Sequence, residues 1–202
     1  MSLAGEIGRK LIHLCSLAIP IGYLFLPRDF VLQVIILVAA GSLTLDLARL
    51  RNRPLGKTFL KVSKPLLKKD ERARLTGSTY LLLASVVCVF FFDRSIAIAA
   101  LLFLSLGDPM ASFVGRRAGR THIGKKTLEG SLACLGTCLT VGVIISILPV
   151  LLPNLSNFHL KVETIFIGAL TATVVELLPL PLDDNALIPM LSGLAMQIVV
   201  LM

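Results

Sequence analysis

Acidic and basic side chains meet in one short stretch, residues 106–131, which reads LGDPMASFVGRRAGRTHIGKKTLEGS. Asp108 lies between Gly107 and Pro109, at the end of an apolar run where we expect the helix to break. Five basic residues then precede Glu129, namely Arg116, Arg117, Arg120, Lys125 and Lys126. A carboxylate followed by a basic segment with several glycines suits a polyphosphate that carries a metal ion. The stretch is therefore a candidate active-site loop.

Two glycines of this stretch, Gly115 and Gly119, lie four residues apart. They would allow either a phosphate or a neighbouring helix to approach the backbone closely, and the spacing leaves both interpretations open. Residues 119–125 also imitate the start of a P-loop, but Lys126 stands where that motif has Ser or Thr. Because a membrane helical chain offers no parallel strand before the motif, nucleotide binding is not inferred from this match.

A second group of oxygen-bearing side chains, Asp183, Asp184 and Asn185, opens the last apolar segment. Asp and Asn are common helix caps, so one of the three needs no further role. Three such side chains in succession exceed what capping requires, and their oxygens suit Mg²⁺. We predict that Asp108, Asp183 and Asp184 hold Mg²⁺, which requires the two stretches to adjoin in the folded chain.

Three ionisable side chains nearer the N-terminus are candidates for a general base, although each also has a structural explanation. Glu6 and His13 fall on one face of the first helix. Asp46 and Arg49 are three residues apart and can form an ion pair within the second helix. Asp46 lies deep enough to be costly without a partner or a metal ion, so function and structure stay equally open for it.

Composition places the chain in a membrane. Hydrophobic residues make up 55% of its 202 residues, and the mean hydropathy of +0.88 is far above that of a soluble domain. A helix needs roughly 20 apolar residues to cross a bilayer. The apolar runs predict seven spans, at about residues 10–27, 30–48, 76–92, 94–112, 130–152, 162–178 and 185–202. The predicted fold is an all-α polytopic membrane helical bundle, with residues 1–202 forming a single integral membrane catalytic domain.

The orientation follows from Lys and Arg, which favour cytoplasmic loops. With the N-terminus in the cytoplasm, 17 of the 20 basic residues lie on the inner side, and only Arg28, Arg94 and Lys161 lie outside. The inner side then also holds nine of the twelve acids. A transporter would more often place such residues near the bilayer midplane, so their position favours an enzyme that faces one surface. The net charge of +8 follows this membrane pattern and does not indicate a nucleic-acid partner.

Several of these segments together resemble a known family. The string GDPMASFVGRRAGR…GKKTLEGSLA, with DNALIP downstream and EIGRKLIH at the start, is similar to the CTP-dependent lipid kinases: dolichol, phytol and farnesol kinases and the CTP-dependent diacylglycerol kinase. The chain more distantly resembles the CDP-diacylglycerol synthases. The similarity covers nearly the whole chain. It implies a polytopic, Mg²⁺-dependent enzyme that moves the γ-phosphoryl group of CTP, or of another pyrimidine nucleotide, onto a lipid hydroxyl.

The resemblance also suggests roles for individual residues. The basic side chains would clamp the phosphates, Glu129 would orient a lysine or bind metal, and Asn185 would bind metal or read the base. The residues expected to bind the nucleotide are Gly115, Arg116, Arg117, Gly119, Arg120, Thr127 and Asn185. The residues expected to act in catalysis are His13, Asp46, Asp108, Lys125, Lys126 and Glu129, with the general base left open among Glu6, His13 and Asp46.

Two other functions stay open. A cytidylyltransferase would use the same nucleotide and metal, but it would join CMP to phosphatidate and release pyrophosphate. A small membrane transporter would turn over no nucleotide. The short chain favours a minimal prokaryotic enzyme of the cell membrane with its site on the cytoplasmic face, and homo-oligomer formation is left open. The lipid alcohol itself, a prenol or diacylglycerol, is not specified, because apolar helices accept either tail.

Overall fold

The computed structural model describes residues 15–51, 74–124, 126–151, 158, 160–180 and 182–202. Three of the residues proposed from the sequence, Glu6, His13 and Lys125, lie outside these ranges. The first predicted span, 10–27, is described only from residue 15 onwards.

The described residues are almost entirely helical, which confirms the all-α class. Helices α1 to α4 span Ala18–Phe25, Arg28–Arg51, Gly77–Phe91 and Arg94–Leu102. Helices α5 to α8 span Asp108–Ala118, Leu128–Leu151, Val162–Leu177 and Asp184–Leu201. A π-helical turn, Phe103–Gly107, joins α4 to α5. Between α5 and α6, two short antiparallel strands, β1 (His122–Ile123) and β2 (Lys126–Thr127), form a hairpin.

Four helical runs among the described residues are long and apolar enough to cross a membrane: Arg28–Arg51, Arg94–Ala118, Leu128–Val150 and Asp184–Leu201. They indicate an integral membrane protein. Helices α3 and α7 coincide with two further predicted spans but have only 15 and 16 residues. At 1.5 Å per residue they rise about 22–24 Å, less than the roughly 30 Å of a bilayer core. Seven spans and a cytoplasmic N-terminus stay predictions.

The helix does not break at Asp108, in contrast to the expectation from the sequence. Pro109 lacks a backbone N–H, so a regular α-helical ladder cannot pass through it unchanged. The chain instead widens into the π-helical turn and continues as one helical run, Arg94–Ala118. Arg116 and Arg117 are therefore helical, and the loop of the candidate site begins only at Gly119. Such π-helical turns are frequent at functional sites.

Close packing between the π-helical turn and α6 fixes where α5 begins. A Cβ added to Gly107 would lie 2.9 Å from the Cys138 sulfur and 3.0 Å from the Cys134 sulfur. Both cysteines are fully buried and lie four residues apart on one face of α6. Because only glycine leaves room for these sulfur atoms, the turn packs directly against α6. Asp108 is the next residue in the chain, so this contact also fixes its position.

Two arginines hold the opposite end of the bundle together. Arg94 donates hydrogen bonds of 2.7–3.1 Å to three carbonyl oxygens at the C-terminus of α1. Arg28 donates to the carbonyl oxygens of Val89, at 3.0 Å, and Phe90, at the C-terminus of α3. The carbonyls that end a helix have no partner within it, and cations there also offset the helix dipole. Since Arg94 begins the 25-residue run that ends at Ala118, this end lies far from the candidate site.

Candidate functional site

Five of the residues proposed from the sequence line one cavity of about 470 Å³, a volume typical of ligand sites. The wall is made by α5, the hairpin that follows it, the start of α6 and the end of α7. The lining residues are Ala111, Ser112, Gly115, Arg116, Gly119, His122, Lys126, Thr127, Gly130 and Glu176. The cavity therefore brings the basic stretch against an acidic residue from a distant part of the chain.

The glycines of the cavity wall allow Thr127 to pack against α5. An added Cβ would lie 2.6 Å from Thr127 Oγ1 at Gly115 and 2.6 Å from Thr127 Cγ2 at Gly119. At Gly130 it would lie 2.6 Å from the carbonyl oxygen of Ala111. These contacts correspond to the packing interpretation of the glycine pair. Close approach of a phosphate at the same glycines stays a prediction.

Lys126 connects the hairpin to the last two helices. Its Nζ lies 2.8 Å from Glu176 Oε1 and 3.1 Å from Asp184 Oδ2. Burial alone would lower the pKa of Lys126, but the hydrogen bond to Glu176 and the charges of Asp184, Glu176 and Asp108 outweigh it and raise that pKa above its usual value. The ammonium group is therefore charged at neutral pH and lies among three carboxylates.

The structure brings together the two stretches that the sequence predicted to adjoin. Asp108, at the start of α5, interacts electrostatically with both Lys126 and Asp184. Lys126 in turn donates a hydrogen bond to Asp184, the first residue of α8. Residues 106–131 thus supply one half of the site, and the start of α8 supplies part of the other.

Asp183 and Asn185 are engaged with each other. Asp183 is the N-cap of α8, and its Oδ1 accepts hydrogen bonds from the Asn185 backbone N–H at 3.0 Å and from Asn185 Nδ2 at 2.7 Å. The cap expected of one residue in the trio is therefore Asp183. Within the described ranges, no three His, Cys, Asp or Glu side chains are grouped closely enough to hold a metal ion by themselves.

Glu129 holds the loop that leads into the hairpin. Its carboxylate oxygens accept hydrogen bonds from the backbone N–H of Thr121, at 3.1 and 3.3 Å. Arg116 lines the cavity and donates to the Ser112 carbonyl oxygen at 2.9 Å, one turn earlier in α5. The guanidinium of Arg117 lies 4.9 Å from the centre of the Phe113 ring. Both Arg117 and Arg120 are exposed.

Asp46 lies in a separate polar network between α2 and α3. Its Oδ1 accepts from Arg49 Nε at 2.6 Å, which confirms the predicted ion pair. Its Oδ2 accepts from the N–H and hydroxyl of Thr76 and from the Thr79 hydroxyl, at 2.7–3.0 Å. With both oxygens engaged in a buried junction, the structural interpretation of Asp46 has clear support. A role as general base stays untested.

Two ionisable residues of the cavity, Glu176 and His122, were given no role from the sequence. Glu176 is only 2% exposed, and its Oε2 accepts a hydrogen bond from Ser131 Oγ at 3.1 Å. A lone acid at the end of an apolar helix is costly to bury, and this cost is the feature of the sequence that could have indicated a role for Glu176. His122 lines the cavity from β1. It stands within the basic stretch, but its direction depends on a hairpin that the sequence did not predict.

The chain has detectable similarity to two known proteins. It is 24% identical over 191 residues to an uncharacterized protein of Rickettsia prowazekii, across 90% of this chain and 88% of that protein. It is 30% identical over 179 residues to CTP-dependent diacylglycerol kinase 1 of Eremothecium gossypii, across 78% of this chain. This chain covers 55% of the length of that kinase. No protein-family model and no solved structure matches the chain.

The second relative gives partial support to the resemblance found in the sequence. A distant similarity to a kinase supports an enzyme of the transferase kind. The cavity lies at one end of the helical bundle. Its wall contains both basic and acidic side chains, which suit group-transfer chemistry.

Proposed function

We propose that the protein is a CTP-dependent lipid kinase, which transfers the γ-phosphoryl group of CTP to the hydroxyl of a membrane lipid alcohol. The observation that carries this proposal is the position of Lys126, which lines the cavity, forms ion pairs with Glu176 and Asp184, and interacts electrostatically with Asp108. The similarity to a CTP-dependent diacylglycerol kinase supports both the nucleotide and the class of acceptor.

Phosphoryl transfer requires mainly that two substrates be positioned and that the charge on the phosphoryl oxygens be offset. The cavity offers three nitrogen-bearing side chains for this purpose: Arg116, His122 and Lys126. A guanidinium binds phosphate through paired hydrogen bonds, whereas an ammonium acts as a compact charge. We infer that Arg116 orients the triphosphate and that Lys126 faces the group that is transferred.

Mg²⁺ fits the donor chemistry of the site if the nucleotide supplies most of its ligands. Mg²⁺ is usually bound by one or two carboxylates together with phosphate oxygens and water. Asp108 and Asp184 carry suitable oxygens, whereas Asp183 is already engaged as a helix cap. We therefore propose Asp108 and Asp184 as the protein ligands. Bound there, Mg²⁺ would offset charge on the phosphates.

Apolar side chains beside the cavity suit a lipid acceptor. Leu178, Leu180 and Leu182 lie in the connection from α7 to α8 and are 47, 37 and 55% exposed. They stand between Glu176 and Asp184 in the chain, so they adjoin the acidic side of the cavity. We propose that the acceptor keeps its tail in the bilayer beside these leucines while its hydroxyl reaches the cavity. Diacylglycerol is the first candidate and a polyprenol or phytol the second.

The transfer is tested with γ-labelled CTP, the purified protein in detergent, Mg²⁺ and separate samples of diacylglycerol, polyprenol, phytol and phosphatidate. Label in an extracted lipid is the expected result, and the acceptor that becomes labelled identifies the substrate. Label released as pyrophosphate with phosphatidate would instead indicate a cytidylyltransferase. No turnover of CTP with any acceptor would refute the proposal.

A further inference from the structure

The buried acid Glu176 lies outside every stretch that the sequence singled out, yet it contacts Lys126 in the cavity wall. We propose that Glu176 is a positioning residue, which holds the ammonium group of Lys126 at the cavity wall in the orientation that the transferred phosphoryl group requires. This role rests on the kinase function proposed above and deepens it.

Three elements meet at the two carboxylate oxygens of Glu176. Oε1 accepts from Lys126 Nζ at 2.8 Å, and Lys126 belongs to β2. Oε2 accepts from Ser131 Oγ at 3.1 Å, and Ser131 lies in the first turns of α6. Glu176 itself lies near the end of α7. The carboxylate is thus held from two sides, so its position is well defined.

The exposure of the two partners differs in a way that suits positioning. The Glu176 side chain is 2% exposed, whereas that of Lys126 is 32% exposed. A lysine has a flexible stem, and fixing it costs side-chain entropy. An anchor in the buried wall reduces the number of orientations available to the ammonium while part of the side chain still faces the cavity.

The second partner of Lys126 is less suited to act as its anchor. Asp184 is 32% exposed and lies 3.1 Å from Nζ, whereas Glu176 is 2% exposed and lies 2.8 Å from it, so the contact with Asp184 is longer and more open to solvent. Asp184 is also one of the two carboxylates proposed to face the metal-bound nucleotide. When it turns to that ligand, Glu176 remains as the buried partner that keeps Lys126 in place.

The test compares Glu176→Gln, which keeps the size and removes the charge, with Glu176→Asp, which keeps the charge and shortens the side chain. We expect Glu176→Gln to lower kcat about tenfold or more without raising KM for CTP, since the charge removed lies beside an anionic substrate. Glu176→Asp should retain more activity, because the lysine stem can follow a shorter acid. Glu163→Gln, an exposed position in the first turn of α7, is the matched control and should match wild type.

Equal activity of Glu176→Gln and Glu176→Asp would overturn the positioning role, because it would indicate a packing role alone. A raised KM with unchanged kcat would also overturn it, because it would indicate ground-state binding alone. Unfolding temperatures of Glu176→Gln, Lys126→Met and the double variant test the contact without relying on turnover. The two losses should not add if the side chains interact, and additive losses would overturn the proposal. If wild type phosphorylates no lipid, the kinase function fails; coupled unfolding temperatures would then show that the pair serves only the fold.

Discussion

At the scale of single residues, charge compensation explains why so many ionisable groups can lie together at one end of the bundle. Lys126 is placed among carboxylates of α5, α7 and α8, and Ser131 donates to the most buried of them. An unpaired buried carboxylate would cost several kcal/mol. The acids at this end are therefore stabilised together, and a change to one of them alters the surroundings of the others.

Asp108→Asn should abolish phosphoryl transfer while leaving the protein folded. The substitution keeps the shape of the side chain but removes a charge that acts on Lys126 and Asp184 and that is proposed to hold the metal-bound nucleotide. The measurement is lipid labelling by γ-labelled CTP, together with the unfolding temperature. Asp93→Asn, at the N-cap of α4 and the far end of the same helical run, serves as the control. Near-normal activity of Asp108→Asn would contradict the assignment.

The sequence predicted the basic half of the site better than the acidic half. Arg116 and Lys126 lie in one contiguous stretch, so their types and spacing can be read directly from the sequence. Glu176 gains its role from Lys126, fifty positions earlier in the chain. That contact depends on how α7 packs beside the hairpin, which no local pattern specifies. Asp183 was predicted as a metal ligand, whereas in the structure it caps α8 by accepting a hydrogen bond from the Asn185 N–H. The run of acidic residues did not show which of its members would be the cap.

At the scale of elements, helix positions were predictable because a membrane helix needs a long apolar run and the run is local in sequence. The ends of α2, α6 and α8 fall close to the predicted ones. The π-helical turn and the hairpin were not predicted. The first depends on sulfur atoms of α6 that pack against Gly107, and the second on Thr127 fitting between the glycines of α5. Both features depend on contacts between separate elements, and local sequence patterns do not reveal such contacts.

Gly107→Ala should destabilise the protein by about 1–3 kcal/mol, the usual cost of overpacking, because its methyl group would lie within 3.0 Å of two buried sulfur atoms. The check is chemical or thermal unfolding in detergent. Gly136→Ala, on α6 with nothing within 4 Å of the added Cβ, is the control and should be neutral or stabilising by about 0.4–1 kcal/mol. Adding Cys134→Ala and Cys138→Ala should relieve part of the Gly107→Ala loss, and no relief would contradict the packing explanation.

At the scale of the whole molecule, the two ends of the bundle use charge differently. At the site end, Arg116 and Lys126 line a cavity together with the acid Glu176. At the other end, Arg28 and Arg94 are bound to carbonyl oxygens that terminate α3 and α1. Two of the three basic residues on the predicted outer side therefore have a structural reason to be there. Their presence does not weaken the charge asymmetry on which the predicted orientation rests.

The predicted orientation can be checked by labelling single cysteines in a background without the four native ones. We expect Lys161→Cys, between α6 and α7, to react with a membrane-impermeant maleimide in intact cells. Thr121→Cys, before the hairpin, should react only after the membrane is permeabilised, because the site end is expected to face the cytoplasm. The reverse pattern would place the cavity outside and would exclude a supply of cytoplasmic CTP.

The π-helical turn also makes the spacing between α4 and Asp108 significant in its own right. A π-helical turn accommodates one residue more than an α-helical turn of the same height, so deleting one residue from 103–107 would let the run close into a regular α-helix with little change in where α4 and α5 lie. In a regular helix, however, the ring of Pro109 would meet the carbonyl oxygen of the residue four positions before it, and that oxygen would lose its backbone donor. The extra residue therefore lets a proline stand directly after Asp108 inside one continuous helical run. We expect relatives that share this proline to preserve the residue count between α4 and Asp108, and a one-residue gap there to occur only in chains without the proline.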